Sequence, residues 1–282
     1  MPAVPLTLLV IAYNEAANIG DCLDSVPFAH EKIVIDSCSD DDTAAVARAH
    51  GARVVTQPWL GFGPQRNFAS SQAGNDWILF LDADERLSEA LACELSQRFG
   101  ELTANPAAVG LLPRSTEFMG RPMRWYRPMH REFKARLYHR AHARWSEPRV
   151  HEILQYHGPG VKLRAELIHR HDPTLVHAQL KALLYAELRA LDWLDRGRPV
   201  RAWTWPLLFV STFLKDYLLR LAVLDGTRGW VAAFLDAQYS LYKRMRYFDM
   251  REVPGSVPLG RAALGRGTPD EQPAQGRHAT QD

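Results

Sequence analysis

The sequence predicts an α/β fold: a mostly parallel sheet flanked by helices, followed by a C-terminal helical extension. Three observations carry that prediction. Strand-length apolar runs alternate with helix-period segments in the order β-α-β-α-β-α-β, at spacings that suit right-handed crossovers. Three polar clusters, at residues 13–15, 36–42 and 82–85, each fall directly after a strand. Beyond residue 173 long amphipathic segments take over.

Residues 6–12 (LTLLVIA) read as the first strand, rich in β-formers and too short to span a membrane. Residues 16–26 follow as a helix, with Ile19, Leu23 and Val26 at helical spacing. The second strand, 33–35, is closed by an acidic loop that leads into a helix over 43–50. Gly51 caps that helix, and a short third strand occupies 53–55. A Gly/Pro-punctuated loop, 58–64, runs through Gln65, Arg66 and Asn67 into a helix ending near Ala73. Residues 77–81 (WILFL) are a continuous apolar run, the pattern of a strand buried on both faces. It ends abruptly in Asp82, Ala83, Asp84 and Glu85.

In a parallel sheet the carboxyl ends of the strands converge along one edge, so the three clusters are expected in one cleft. Three carboxylates within four residues repel one another unless a cation intervenes. Mg²⁺ or Mn²⁺, itself holding a phosphate, suits them. The plainer reading of Asp84 and Glu85 is the acidic first turn of a helix over 86–91.

From Arg114 to Arg149 there are ten Lys/Arg against three acids, interleaved with Phe118, Trp125, Tyr126, Phe133, Tyr138 and Trp145. This is either a solvated basic face or a groove for an anionic acceptor or headgroup surface. No groove-reading motif accompanies it, which argues against nucleic acid. His151 and Glu152 close the segment. They read as surface residues or as a pair folded back over the cleft to supply a general base.

Residues 174–196 form a strongly amphipathic helix stopped by Gly197, and further helices are expected over 207–224 and 230–248. The charge-free run 203–214 is twelve residues, short of the roughly 20 a spanning helix needs. Its tryptophans and the nearby basic residues fit an interfacial anchor and, as well, a bundle packed on the sheet.

The totals bound the class. Apolar content of 46% and charged content of 23% in 282 residues are those of a folded protein with a sizeable core. Three cysteines provide neither a disulfide framework nor metal-ligand spacing, so a reducing compartment is expected. The N-terminus lacks a basic n-region, and no secretory signal is expected. These features place the chain in the cytoplasm, with peripheral contact at the inner face of the cytoplasmic membrane as the anchor reading adds.

Together the clusters describe a nucleotide-sugar site. Asp36 can accept hydrogen bonds from a base or ribose, and Arg66 can grip phosphate. Asp84, with Asp82, can hold a metal against a diphosphate leaving group. Displacement at an anomeric carbon passes through an oxocarbenium-like state, and a base must deprotonate the attacking hydroxyl.

The segments VIAYNEAANIGDCLDSV (10–26), IVIDSCSDDDTAAVARAHGARVV (33–55), GFGPQRN (61–67) and WILFLDADERLS (77–88) resemble glycosyltransferase family 2, inverting enzymes of the GT-A fold. The Asp-Ser-x-Ser loop, the Gly-Phe-Gly-x-Gln-Arg turn, Arg136-Leu137-Tyr138, Val150-His151-Glu152 and Asp225-Gly226 resemble its lipopolysaccharide-core β-glucosyltransferase branch. The resemblance implies that Tyr13, Glu15 and Asp36 contact uridine and that Arg66 contacts the nucleotide. It further implies that Asp82 and Asp84 serve diphosphate and metal, that Glu152 is the base, and that His151 is a metal ligand or alternative base. Ser37 stands where many members carry a second acid, and Ala12 where many carry Thr.

The implied reaction is transfer of a hexose, glucose first, from a UDP-sugar to a lipopolysaccharide-core or other envelope glycolipid. A polyprenyl phosphate or glycan acceptor, or a non-catalytic nucleotide-sugar-binding role at the membrane, is the alternative. The expected organisation is a glycosyltransferase domain over 1–172 (nucleotide-sugar half 1–112, basic acceptor half 113–172), a helical extension over 173–250 and a disordered tail over 251–282. A phosphohydrolase would carry its acid pair after the first strand, and a dinucleotide fold would place its glycines there; neither pattern is present.

Overall fold

The computed structural model describes residues 1–130, 132–147, 153–171, 174–197 and 204–253. His151, Glu152 and the predicted tail from residue 254 onward lie outside them. The sheet is mixed, with five parallel and four antiparallel pairings. Its parallel half consists of β1 (Val4–Ala12), β2 (Ala29–Asp36), β3 (Arg53–Thr56) and β4 (Trp77–Asp82). The second half adds β5 (Glu85–Leu87), β6 (Val109–Phe118), β8 (Glu132–His139) and β12 (Leu167–His171). The spatial order is β3-β2-β1-β4-β8-β6-β12-β5, with β7 (Arg121–Pro122) and β11 (Gly160–Lys162) also on β6. A separate hairpin joins β9 (Ala143–Trp145) to β10 (Leu154–Tyr156).

The unbroken apolar runs arise because helices cover both faces of the central strands. Leu6, Leu8 and Val10 of β1, with Leu79 and Leu81 of β4, pack on one face against Ile19 and Leu23 of α1 (Ala16–Asp24) and Leu91 and Leu95 of α4 (Glu89–Leu102). Leu9, Ile33, Ile35, Ile78 and Phe80 point the other way, toward Ala69 of α3 (Phe62–Ser71), Tyr138 and Trp145. The strand period of two thus assigns neighbouring residues to opposite cores. On the far side of the acidic loop, α2 (Thr43–Ala49) adds Ala47 to the first.

Two sequence expectations change. Glu85 does not begin a helix: residues 85–87 pair antiparallel with β12, and α4 starts only after Ser88, whose Oγ accepts the Leu91 N–H at 3.2 Å. The helix expected over 207–224 is broken into α6 (Trp205–Leu214), a wide π turn (Lys215–Leu219) and a 3₁₀ turn (Ala222–Asp225), with Leu221 at φ +65 between the turns. The long α5 (Leu175–Asp195) and α7 (Gly226–Glu252) are joined by Glu187 to Arg246 at 2.7 Å. Phe118 and Met123 pack with Ala178, Ala232 and Ala233, which ties the sheet to these helices.

Candidate active site

The turn after β1 is held by the loop after β2. Asn14 adopts φ +52, a left-handed conformation that asparagine tolerates. Its N–H donates to Ser39 Oγ at 3.0 Å, and its Oδ1 accepts the Asp40 N–H at 2.8 Å. The Glu15 N–H donates to Thr43 Oγ1 at 2.7 Å, and Tyr13 Oη donates to the Asp40 carboxylate at 2.8 Å. Asp36 is buried at the end of β2, where it accepts from Ser39 Oγ at 2.5 Å. The first two clusters are therefore one structure.

Arg66 joins them from α3. The helix opens on Gly61, at φ +103, and passes so close to Ser146 that a Cβ on Gly63 would lie 2.0 Å from its carbonyl oxygen. That approach turns Gln65 and Arg66 inward. Gln65 donates to Ser37 Oγ at 3.2 Å. The Arg66 guanidinium lies over the rings of Phe80 and Trp145 (5.0 and 4.5 Å to the centroids), a favourable place for a cation. Its Nη2 donates to Asp82 Oδ1 at 2.8 Å.

Arg136 of β8 takes the other Asp82 oxygen at 2.5 Å and also donates to Glu85 Oε1 at 2.6 Å. Arg114 of β6 approaches the same Glu85 oxygen at 3.5 Å, and Glu85 is fully buried. Burial alone would raise the Asp82 pKa, but Arg136 and Arg66 outweigh it and hold the carboxyl at about 2. Burial works against the charge of Arg136 too, and Asp82 and Glu85 overcome it, raising its pKa further above the ordinary range. Beneath them, burial and then the carboxylates push the Cys22 thiol up, and its Sγ–H faces the Asp82 carbonyl at 3.7 Å.

Asp84 stands apart from this clamp. Its carbonyl accepts the Arg170 N–H at 2.9 Å, and its Oδ2 lies 3.1 Å from His169 Nε2. The register of β12 causes the meeting: His169 pairs with Thr116 of β6 on one side and Glu85 of β5 on the other. Among the described residues no three His, Cys, Asp or Glu side chains gather to hold a metal. The Asp84 carboxylate nevertheless fits Mg²⁺ or Mn²⁺, which bind through one or two carboxylates and keep waters and substrate phosphates in their remaining positions, while the His169 imidazole beside it is a softer donor. The donor set is adequate.

The structure thus brings Tyr13, Glu15, Asp36, Arg66, Asp82 and Asp84 to one edge of the sheet, while the base candidates Glu152 and His151 fall outside the described residues. Sequence reasoning assigned no site role to His169 and counted Arg114 and Arg136 with the basic groove. The usable signal was a charged residue inside an apolar run, as in Ala135-Arg136-Leu137 and Ile168-His169.

Against known proteins, the Glycosyl transferase family 2 model matches residues 7–154. The chain belongs to that family. It is accordingly a glycosyltransferase, and the polar edge of its sheet is the place to look for its chemistry. The lipopolysaccharide core biosynthesis glycosyltransferase LpsC of Rhizobium meliloti (strain 1021) is 29% identical over 261 residues, covering 86% of this chain and 94% of LpsC. An uncharacterized glycosyltransferase of Rickettsia felis is 28% identical, covering 88% of this chain and 89% of its own. Among solved structures, S. aureus TarS 1–349 aligns over 89% of this chain and 92% of its own at 15% identity and TM-score 0.45. Glucosyl-3-phosphoglycerate synthase from Mycobacterium tuberculosis, in complex with Mn²⁺, UDP and glucosyl-3-phosphoglycerate, aligns over 40% and 44% at 26% identity and TM-score 0.33.

Proposed function

We propose that this glycosyltransferase moves a hexose, glucose first, from a UDP-sugar to a lipopolysaccharide-core or related envelope glycolipid, with inversion at the anomeric carbon and with a divalent cation as cofactor. The observation that carries the reading is the meeting of Asp84 with His169, beside the Asp82–Arg66–Arg136 clamp, at the carboxyl edge of β1, β2 and β4. The near full-length likeness to LpsC supports the acceptor class.

In this reading Asp36 accepts hydrogen bonds from the uridine, with Tyr13 and Glu15 lining the same pocket. Asp82 holds Arg66 and Arg136 toward the diphosphate. Asp84 and His169 hold the cation, which when bound supplies positive charge against the departing diphosphate oxygens. Glu152 takes the proton of the acceptor hydroxyl as its oxygen bonds to the anomeric carbon and the bond to UDP breaks, with His151 as the alternative base. The exposed Arg121, Arg124 and Arg127, beside Trp125, suit an anionic acceptor. The protein works from the cytoplasmic side, where its acceptor meets the membrane surface.

The test is UDP release from UDP-glucose with Mn²⁺, compared between wild type and Asp84→Ala. The expected loss is ~10²-fold or more, because the cation contributes several kcal/mol to the transition state. Unchanged turnover would remove the metal role of Asp84.

A further inference from the structure

Helix α6 and the turns after it are apolar on the side that faces water. One stripe, Trp205, Phe209 and Phe213, packs against α7, with ring centroids at 5.9 Å for Trp205–Phe248, 5.7 Å for Phe209–Phe234 and 6.1 Å for Phe213–Trp230. A second stripe, Leu207, Val210, Leu214 and Leu218, recurs at helical spacing and lies exposed. Leu219 and Leu224 extend it, and Leu207 and Leu219 are 67% and 72% exposed. The fully buried positions of α6 and the π turn are polar: Thr212 at 7% and Asp216 at 1%, the latter bound by Arg220 at 2.8 Å.

A helix settled in water places its polar residues outside and its leucines inside. This stretch packs its aromatic residues on α7 but leaves its leucines out and buries Thr212 and Asp216. Six exposed aliphatic side chains within residues 207–224 make an apolar surface of the kind that marks an interaction face. No helix among the described residues is long and apolar enough to cross a membrane.

The surroundings name the partner. Lys215 and Arg220 flank the stripe, both more than two-fifths exposed. The Asp225 carboxylate accepts the N–H groups of Arg124, Trp125 and Tyr126 at 2.9, 3.0 and 2.7 Å, and the Arg127 N–H donates to the Arg220 carbonyl at 3.0 Å. These bonds bring a loop with exposed Arg124, Trp125 and Arg127 to the end of the stripe. Leucines ringed by cations, with a tryptophan at the margin, match a bilayer surface bearing anionic headgroups.

We infer that the α6 face, continued by residues 218–224 and rimmed by Lys215, Arg220, Arg124 and Arg127, is a monotopic docking surface for an anionic lipid bilayer. The partner follows from this face alone and extends the glycolipid reading. The vesicles used to test it carry neither donor nor acceptor, so either reading can fail without the other.

The experiment is co-sedimentation of the full chain with phosphatidylcholine vesicles, with and without 30% phosphatidylglycerol, for wild type and for Leu214→Glu/Leu218→Glu. Wild type is expected to bind the anionic vesicles and to be released by salt. The double variant, altered only at exposed positions, is expected to bind at least about tenfold more weakly with an unchanged circular dichroism spectrum. A milder Leu214→Ser/Leu218→Ser variant serves if the first fails to fold. Wild type that stays in solution with both vesicle types, or variants that bind as wild type does, would overturn the inference. So would sedimentation velocity showing a dimer that the variants dissolve, which would assign the face to a second copy.

Discussion

At the end of β4, Asp82 is held from two sides. Each of its carboxylate oxygens accepts from a different arginine, Arg66 from α3 and Arg136 from β8, so one residue fixes two cations arriving from separate parts of the chain. Its folded pKa of about 2 lies below the roughly 3.9 of an unfolded aspartate. The sign follows directly: the stabilisation is fully present above about pH 4 and disappears as pH falls from there toward 2. We expect Asp82→Asn to lower stability by about 2 kcal/mol at pH 6, and the gap to wild type to close between about pH 4 and 2. Urea unfolding at a series of pH values measures it; a gap that does not change with pH would mean that Asp82 is not held ionised by its arginines.

Elements were legible in the sequence to the degree that their burial is local. The runs at 6–12, 33–35 and 77–81 fall inside β1, β2 and β4, because a strand covered on both faces is apolar at nearly every position, and 53–55 falls inside β3, an edge strand marked by its two valines. Strands β5 and β12 escaped notice because Glu85 and His169 are acceptable inside a sheet only beside Arg136, Arg114 and Asp84, partners 29 to 85 residues away. The break after α6 was equally silent, since a leucine and not a glycine takes the left-handed φ at residue 221. The Asp225 turn makes a prediction at this scale. Asp225→Ala removes the acceptor of three amides and is expected to cost about 2–3 kcal/mol in urea unfolding. Amide exchange at residues 124–126 should accelerate, while Asp225→Asn, which retains one acceptor oxygen, should fall between the two.

At the scale of the whole molecule, the boundary expected near residue 172 runs through a shared core. Phe118, Met123 and Tyr126 pack on residues of α5 and α7, and Tyr126 Oη donates to Asp236 of α7. A chain ending at residue 172 would leave that apolar surface bare. We expect it to bind a hydrophobic dye and to aggregate, whereas the full chain unfolds in a single transition by fluorescence and circular dichroism; a soluble, cooperatively folding fragment would restore the boundary. The pairing of β12 carries a separate consequence for anyone building chimaeras of this enzyme. Because successive residues of a strand look to opposite faces, deleting Ile168 inside β12, with the start of the strand held in register, would present Arg170 where the imidazole now meets Asp84. Grafts that carry residues 167–169 over as a unit keep the imidazole's side of the sheet, and exchanges that add or remove a residue inside that strand discard it, however conservative they look.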